Sequence, residues 1–481
     1  MLGADLMRAL AGAGQRGMDI AAWRAVARLD LHGVTADSRQ AGPGILFAAL
    51  PGLQARGADF IADAVQRGAS AVLAPEGTDW PPGVPPRPMI TDPEPRQCLA
   101  RIAAALAGAQ PELVVAVTGT NGKTSTADFL RQIWALAGRK AASLGTLGVI
   151  APGFATGPGL TTPDPVALAN TMAELAKANV DCAAIEASSH GLHQFRLDGV
   201  RLSAGAFTNL TRDHLDYHGG MAAYRAAKLR LFDELLPEGA PAVASTSLDS
   251  ETLELLRDIA RRRKLAFSVE GPEQTVPQAD GQIVRWRGVA FHLPLAGRFQ
   301  ADNAVLACAL AEATGVSGAL SLVGGLVGVR GRMELVATLA NGAAIYVDFA
   351  HTPDALDRLI AALRPHTAGR LHIVFGAGGD RDPGKRPLMG ASARAADMVI
   401  VTDDNPRTED AAKIRAAVVS GCLDAIDIGG REAAIAAGIN GLGAGDVLVV
   451  AGKGHEQGQT IGAETLPFDD AGVVRALLGS A

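Results

Sequence analysis

Leu113–Ala137 reads LVVAVTGTNGKTSTADFLRQIWALA. Five apolar residues from Leu113 to Val117 form a run short enough for a buried strand. Gly119-Thr120-Asn121-Gly122-Lys123-Thr124 follows as a turn. Phe129, Leu130, Ile133 and Trp134 then recur at helical spacing. Strand, glycine turn and helix N-terminus in that order make a phosphate loop. Glycines let backbone amides approach phosphate oxygens, and the helix dipole favours the negative charge. Lys123 is placed to reach the β/γ-phosphates and Thr124 to offer its hydroxyl to Mg2+. Val117 stands where the usual G-x-x-x-x-G-K-[ST] spacing has its first glycine.

Working outward, CAAIEASS (182–189) and GAFTNL (205–210) are further apolar runs with helical segments between them. That alternation predicts parallel strands with crossover helices. IVRWRGVAFHLPL (283–295) predicts an antiparallel hairpin turning at Arg287-Gly288, and NAVLACALAEATG (303–315) a helix with a glycine stop. Upstream, ILFAAL (45–50) and SAVLAP (70–75) are strand-like, followed by a proline-rich stretch and a helical run from Arg96. Downstream, AIYVDFA (344–350), LHIVFGAGG (371–379), DMVIVTDD (397–404) and DVLVVAGKG (446–454) each end an apolar run in polar or glycine residues. They predict a second layered α/β sheet with functional loops at the carboxyl ends of its strands. The expected architecture is three α/β domains: a smaller one over 1–110, a central phosphate-loop domain over 111–333 and a Rossmann-like one over 334–481.

The bulk composition suits this. The 481 residues are 48% hydrophobic and 20% charged, with net charge −6. A basic excess for gripping nucleic acid is missing. The first twenty residues lack a signal-peptide pattern, and no apolar run is long enough for a membrane span. Cys98, Cys182, Cys308 and Cys422 are far apart, which predicts packed, reduced thiols in a reducing compartment. These features predict a cytoplasmic protein.

Candidate chemistry sits at the strand ends. Glu186 closes CAAIE beside the phosphate loop, where a carboxylate can ligate Mg2+. TNLTRDHLDYHGG (208–220) packs Asp213, His214, Asp216 and His218 into one loop, with His214 the candidate metal ligand. Tyr224 and Lys228 share a helical face, and spacing alone reads Lys228 as a solvated lysine. DFAHTPDAL (348–356), GAGGDRDPGKRPLMG (376–390), TDDNPRTED (402–410) and AGKGHEQGQ (451–459) are four charged, glycine-rich loops of one domain. Arg381 and Arg407 could each fork a carboxylate and Glu456 hold an ammonium, a set suited to an amino acid. Surface salt bridging is the plainer reading of the same charges.

GTNGKT, EASSHGL, FTNLTRDHLDYH, AKLRLF, GRMELV, DFAHTPDAL, GDRDPGKRP and GKGHE, in this order, resemble the signatures of the Mur ligase family along nearly the whole chain. DNPR (404–407) is similar to the motif of members that add meso-diaminopimelate. The resemblance implies an ATP-dependent ligase that forms ADP and phosphate in bacterial peptidoglycan synthesis, and so serves cell shape and division. The bond formed would link diaminopimelate to the D-glutamyl residue of a UDP-linked muramoyl dipeptide through an acyl phosphate. It implies a UDP-substrate site at Ser38, Gln54, Ala55, Thr161, Thr162, Ser188, Gln194 and Arg196. ATP would meet Gly119–Ser125, Asn303, Arg332 and Asp348. Mg2+ would meet Thr124, Glu186, His214 and Lys228, the last as a CO2-derived carbamate. Diaminopimelate would meet Arg381, Asp404, Asn405, Pro406, Arg407, Gly452 and Glu456. Partners are small molecules acting on a monomer. Gln300, Val329-Arg330, Phe349 and Ala377 depart from the family pattern around adenine. A lysine-adding ligase, a folylpolyglutamate synthase and a mechanical ATPase remain the rivals.

Overall fold

The structure is a computed structural model; it describes residues 20–26, 28–52, 56–154, 157, 159–278 and 280–479. The chain divides into two compact units, Met1–Glu270 with Ala309–Ser317 and Gly271–Cys308 with Gly318–Ala481.

The first unit holds two sheets. Strands β1 (Gly33–Thr35), β2 (Ile45–Ala48), β3 (Ala71–Pro75) and β4 (Met89–Asp92) lie in sequence order, all parallel. The larger sheet uses β5 (Leu113–Thr118), β6 (Ala141–Gly145), β7 (Gly148–Ile150), β8 (Cys182–Glu186), β9 (Ala204–Phe207), β10 (Pro241–Ser245) and β11 (Ala266–Glu270). Their order is β11-β10-β9-β5-β8-β6-β7, parallel except for β7. β5 has neighbours on both edges and helices on both faces, so it is apolar without alternation. The helix Pro95–Ala107 packs along Pro165–Lys177 and ties the small sheet to the large one. Gln97 donates to Asp198 (2.7 Å), and Gly199 lies so close to Ala100 that a Cβ would meet its carbonyl oxygen at 2.3 Å.

The second unit opens with a meander, β12 (Gln274–Gln278), β13 (Gly281–Trp286) and β14 (Val289–Leu293). Arg287 and Gly288 both take positive φ at the β13–β14 turn, as a two-residue hairpin with right-handed strand twist requires. The main sheet is β15 (Glu334–Thr338), β16 (Ala344–Asp348), β17 (Leu371–Phe375), β18 (Met398–Val401), β19 (Ile426–Asp427) and β20 (Val447–Ala451). Its order is β15-β16-β20-β17-β18-β19, with β15 alone antiparallel. A hairpin, β21 (Gly458–Ile461) with β22 (Glu464–Pro467), follows β20. All four anticipated strands are present in this sheet. Among the described residues, no helix is long and apolar enough to cross a membrane. The four cysteines are buried, and none forms a disulfide bond.

Candidate functional site: a phosphate loop and an acceptor-loop cluster

In the first unit, β5 delivers the chain into a turn that tolerates only glycine. Gly119 has φ 143°, and a Cβ there would sit 1.9 Å from Thr208 Oγ1. Gly122 is left-handed (φ 82°) where the helix Lys123–Leu136 begins. The end of β9 braces the turn: Thr120 N donates to Asn209 O (2.8 Å) and Asn121 N to Asn209 Oδ1 (3.0 Å). Lys123 Nζ folds over its own loop, donating to Gly119 O (3.0 Å) and Thr120 O (2.7 Å). Thr124 and Ser125 are buried in the first helical turn.

Lys228, on the helix Met221–Arg230, is 1% exposed, so it is not the solvated lysine that spacing suggested. Its Nζ donates to Gly119 O (2.6 Å) and lies 4.6 Å from the centre of the Tyr224 ring. The Tyr224 hydroxyl is 3.1 Å from Thr120 Oγ1. Burial, with help from the Lys123 cation, holds the Lys228 ammonium well below the ordinary lysine range. Desolvation disfavours the charged form, so this site favours a neutral, nucleophilic amine.

Glu186 ends β8 and is buried, accepting from Thr146 N (2.8 Å). Gly145 is kept bare by this carboxylate, since a Cβ there would lie 1.8 Å from Glu186 Oε1. Thr161 Oγ1 sits 3.2 Å from Thr146 Oγ1. Thr162 donates to Glu186 O (2.8 Å) and accepts from Ser188 N (3.0 Å), while Ser188 caps the helix Ser189–His193 through Gly191 N. Arg196 reaches Thr162 O (2.6 Å) and Gln194 Oε1, and Gln194 donates to the Tyr217 hydroxyl (3.0 Å). Thr146, Thr161, Thr162, Glu186, Ser188, Gln194, Arg196 and Tyr217 therefore form one connected polar run beside the loop.

Gln194 and Arg196 also line a cavity of about 650 Å3, shared with Thr35, Asp37, Gln40, Arg96, Asp164 and Asn170. Ser38 follows Asp37 of this wall in sequence but is not among its lining residues, and it is buried, at 7% exposed. Gln54 and Ala55 lie outside the described residues.

His214 is half-exposed in a left-handed backbone conformation (φ 50°), with Nε2 3.3 Å from Asp213. Its ring packs edge-on to His190 at 4.8 Å. Burial and neighbouring histidines push His218 down to about 4. Among the described residues, no three His, Cys, Asp or Glu side chains converge as metal ligands. Buried oxygen donors from Glu186 and Thr124 are nonetheless of the kind Mg2+ takes, and Mg2+ commonly keeps waters and uses one or two protein ligands with substrate phosphates.

The second unit carries the remaining candidates. Asp348, at the end of β16, accepts from Met333 N (2.7 Å) and Ala350 N (2.7 Å), and desolvation raises its carboxyl above the ordinary range. The Arg332 guanidinium lies 4.7 Å over the Phe349 ring. Gln300 donates to Arg332 O (3.1 Å), so two of the departures from the family pattern, Gln300 and Phe349, support Arg332. Asn303 is buried on the helix Arg298–Ala313.

The loops after β17, β18 and β20 form a cluster. Asp404, Asn405 and Pro406 are buried, and Arg381 is exposed. Asn405 Nδ2 donates to Glu456 Oε2 (3.1 Å), and Arg407 Nη1 donates to Gly379 O (2.7 Å). Gly452 has φ 117°, and a Cβ there would lie 2.7 Å from Asp404 Oδ2. Sequence reasoning did not single out what holds these loops. Arg431 is fully buried and pairs bidentately with Asp470 (2.6 and 2.7 Å), while its Nη2 donates to Ala451 O (2.9 Å). Arg386 grips Glu409 (2.7 and 2.9 Å), and Glu409 accepts from Asp380 N. Lys453 was legible as part of GKGHE, but its complete burial was not. In the first unit, the cavity residues Asp37, Arg96, Asp164 and Asn170 were likewise not anticipated.

Three family models match: the Mur ligase family catalytic domain over 30–107, the Mur ligase middle domain over 117–311 and the Mur ligase glutamate ligase domain over 331–454. A relative from Mesorhizobium japonicum, a UDP-N-acetylmuramoyl-L-alanyl-D-glutamate–2,6-diaminopimelate ligase, is 51% identical, covering 94% of this chain and 96% of its own. A solved structure of a ligase of the same description is 32% identical, covers 94% and 95% of the two chains and superimposes with a TM-score of 0.69. A folylpolyglutamate synthase from Mycobacterium tuberculosis is 20% identical over 80% of this chain and 95% of its own, at a TM-score of 0.61, a likeness of fold.

Proposed function

The chain belongs to the Mur ligase family, and from that premise we propose how its residues divide one reaction. The enzyme is an ATP-dependent amide ligase that joins diaminopimelate to UDP-N-acetylmuramoyl-L-alanyl-D-glutamate in peptidoglycan precursor synthesis. The observation that carries this is identity near one half with diaminopimelate ligases along 93–94% of the chain. We assign the UDP-substrate to residues 1–110, ATP to 111–333 and the amino acid to 334–481. The cavity lined by Asp37 and Arg96 from that first stretch, and by Gln194 and Arg196 from the next, supports the first assignment. We assign the reaction to the bacterial cytoplasm, where ATP is supplied, and to a monomer of the chain.

The D-glutamyl carboxylate attacks the γ-phosphorus of ATP, releasing ADP and leaving an acyl phosphate. Two anions meet in this step, so charge neutralisation dominates it. Gly119–Ser125 supplies backbone amides and the Lys123 cation for the phosphates. Asn303, Arg332 and Asp348 are proposed ATP contacts in the second unit. Thr124, Glu186, His214 and, as its carbamate, Lys228 would hold Mg2+, which would supply charge neutralisation at the phosphates. For Lys228 to serve there, its neutral amine adds to CO2 and loses a proton, giving a carbamate anion. Its burial and depressed basicity support this. One amino group of diaminopimelate, in its neutral form, then attacks the acyl carbon, loses a proton and displaces phosphate, while Glu456 and Asn405 hold the other amino group as an ammonium and Arg381 and Arg407 hold the carboxylates.

Mass spectrometry of the product from UDP-muramoyl dipeptide, ATP, lysine and diaminopimelate tests the reaction. The diaminopimelate adduct should form with one ADP and one phosphate per bond. A lysine adduct as the main product, or ATP hydrolysis independent of the UDP-substrate, would overturn it. 13C-bicarbonate should give a carbamate NMR signal that Lys228→Met abolishes; an unchanged spectrum removes the carbamate.

A further inference from the structure

Arg407 is held in a conformation that an arginine does not choose. Its φ is 52°, in the left-handed region where a Cβ is crowded. The hairpin β21–β22 holds it there. Arg407 N donates to Thr460 O (3.1 Å), and Gly462 N, itself at φ 61°, donates to Arg407 O (2.7 Å). The same arm reaches the two preceding loop residues. Gln459, 9% exposed, donates through Nε2 to Asp404 O (2.6 Å), and Thr460 N donates to Asn405 Oδ1 (2.9 Å). At its base, the buried Lys453 ammonium donates to Asn405 Oδ1 (2.9 Å) and Glu456 Oε2 (3.3 Å). Every residue from Asp404 to Arg407 except the proline is thus fastened to the stretch 453–462.

We propose that this arm sets acceptor specificity, with Lys453, Gln459 and Gly462 as its positioning residues; the proposal rests on the diaminopimelate reading above. A guanidinium has five N–H donors in a rigid fork. One of Arg407's is spent on Gly379 O, which fixes the direction in which the others point. Freed from the arm, Arg407 relaxes to negative φ, the Cα–Cβ bond swings and the fork leaves its place. Diaminopimelate differs from lysine by one distal carboxylate, so only the larger acceptor loses a contact when the fork moves. Lys453 acts at the other end, keeping Asn405 and Glu456 aligned for the acceptor's ammonium. The arm therefore discriminates between acceptors without touching the difference between them.

The test uses the full chain with Gln459→Met, which removes the donor at similar volume, and Gly462→Ala, which strains the exposed turn without entering the core. Each is assayed for KM and kcat with diaminopimelate, and for the ratio of the two adducts formed from an equimolar mixture with lysine. The expected result is a roughly tenfold rise in diaminopimelate KM, the scale of one lost hydrogen bond, with kcat within about twofold and a correspondingly lower adduct ratio. A merely structural role would lower both adducts together and leave their ratio fixed, which overturns the proposal. So would an unchanged diaminopimelate KM in both variants. If the unaltered enzyme itself shows no preference for diaminopimelate, the functional reading falls first and the arm's role falls with it.

Discussion

The phosphate loop and the acceptor loops both sit at the carboxyl ends of parallel strands, yet they are built from different materials. The phosphate loop and the end of β6 near it are shaped mainly by what is missing: Gly119 and Gly145 are bare because Thr208 and Glu186 occupy the space a Cβ would need. Side chains shape the acceptor loops, through Arg431–Asp470, Arg386–Glu409 and Lys453–Glu456. The first design brings a glycine turn onto a helix N-terminus, which suits phosphate, whose many oxygens accept from any donor. The second fixes individual charged groups, which suits an amino acid recognised by a few directed contacts. The first should therefore fail by steric intrusion and the second by loss of a polar partner.

The largest expected effect attacks the phosphate loop. Gly119→Ala and Lys123→Ala should each lower substrate-dependent ADP release by about 10^3-fold, the scale of a lost electrostatic stabiliser; Lys123→Ala should leave the melting temperature nearly unchanged, whereas Gly119→Ala should lower it through the clash with Thr208. Turnover near normal in either would show that the loop is not shaped by exclusion. Next, Arg431→Met or Asp470→Asn should destabilise the second unit by about 3–5 kcal/mol, because each strands a buried charge, or half of a bidentate pair, without its partner. Denaturant titration measures this. The double variant Arg431→Met with Asp470→Leu should recover most of it, and a double variant as weak as either single one would refute the pairing argument.

Arg407→Ala sharpens the contrast at the level of binding. One charge-assisted contact is worth about 1.5–3 kcal/mol, so the diaminopimelate KM should rise roughly 10- to 100-fold with kcat nearly unchanged. Steady-state kinetics decides this, and a fall confined to kcat would count against the assignment. The smallest expectation is a null. Burial pushes the Cys98 thiol up to about 12, so iodoacetamide should not label it in the folded protein at neutral pH. Rapid labelling without unfolding would mean that the small sheet opens.

Much of this was legible in the sequence because it is local. Strand β5, its turn and its helix occupy consecutive residues, and each anticipated strand of the last sheet is a continuous apolar run. The elements that escaped lack such a signature. β1 is three residues long, β4 lies inside a proline-rich stretch, and every residue of β22 is exposed, so no burial pattern marks it. The fastening of the acceptor loops escaped for another reason. Arg431 and Asp470 are 39 positions apart, and nothing in either neighbourhood announces the other. Lys228 shows the limit of periodicity from the opposite side: its helical face predicts solvent, but Gly119 O is its neighbour.

The Arg431–Asp470 pair has a consequence for how the protein is made. Asp470 opens the helix Asp470–Gly479, which follows every strand of its sheet in chain order. A polypeptide synthesised from its amino end has therefore laid down all the acceptor loops before it owns the carboxylate that locks them. Until that helix docks, a guanidinium waits in the interior without its counter-charge. A chain cut short before residue 470 would carry the phosphate loop in full and yet have no settled place for an amino acid.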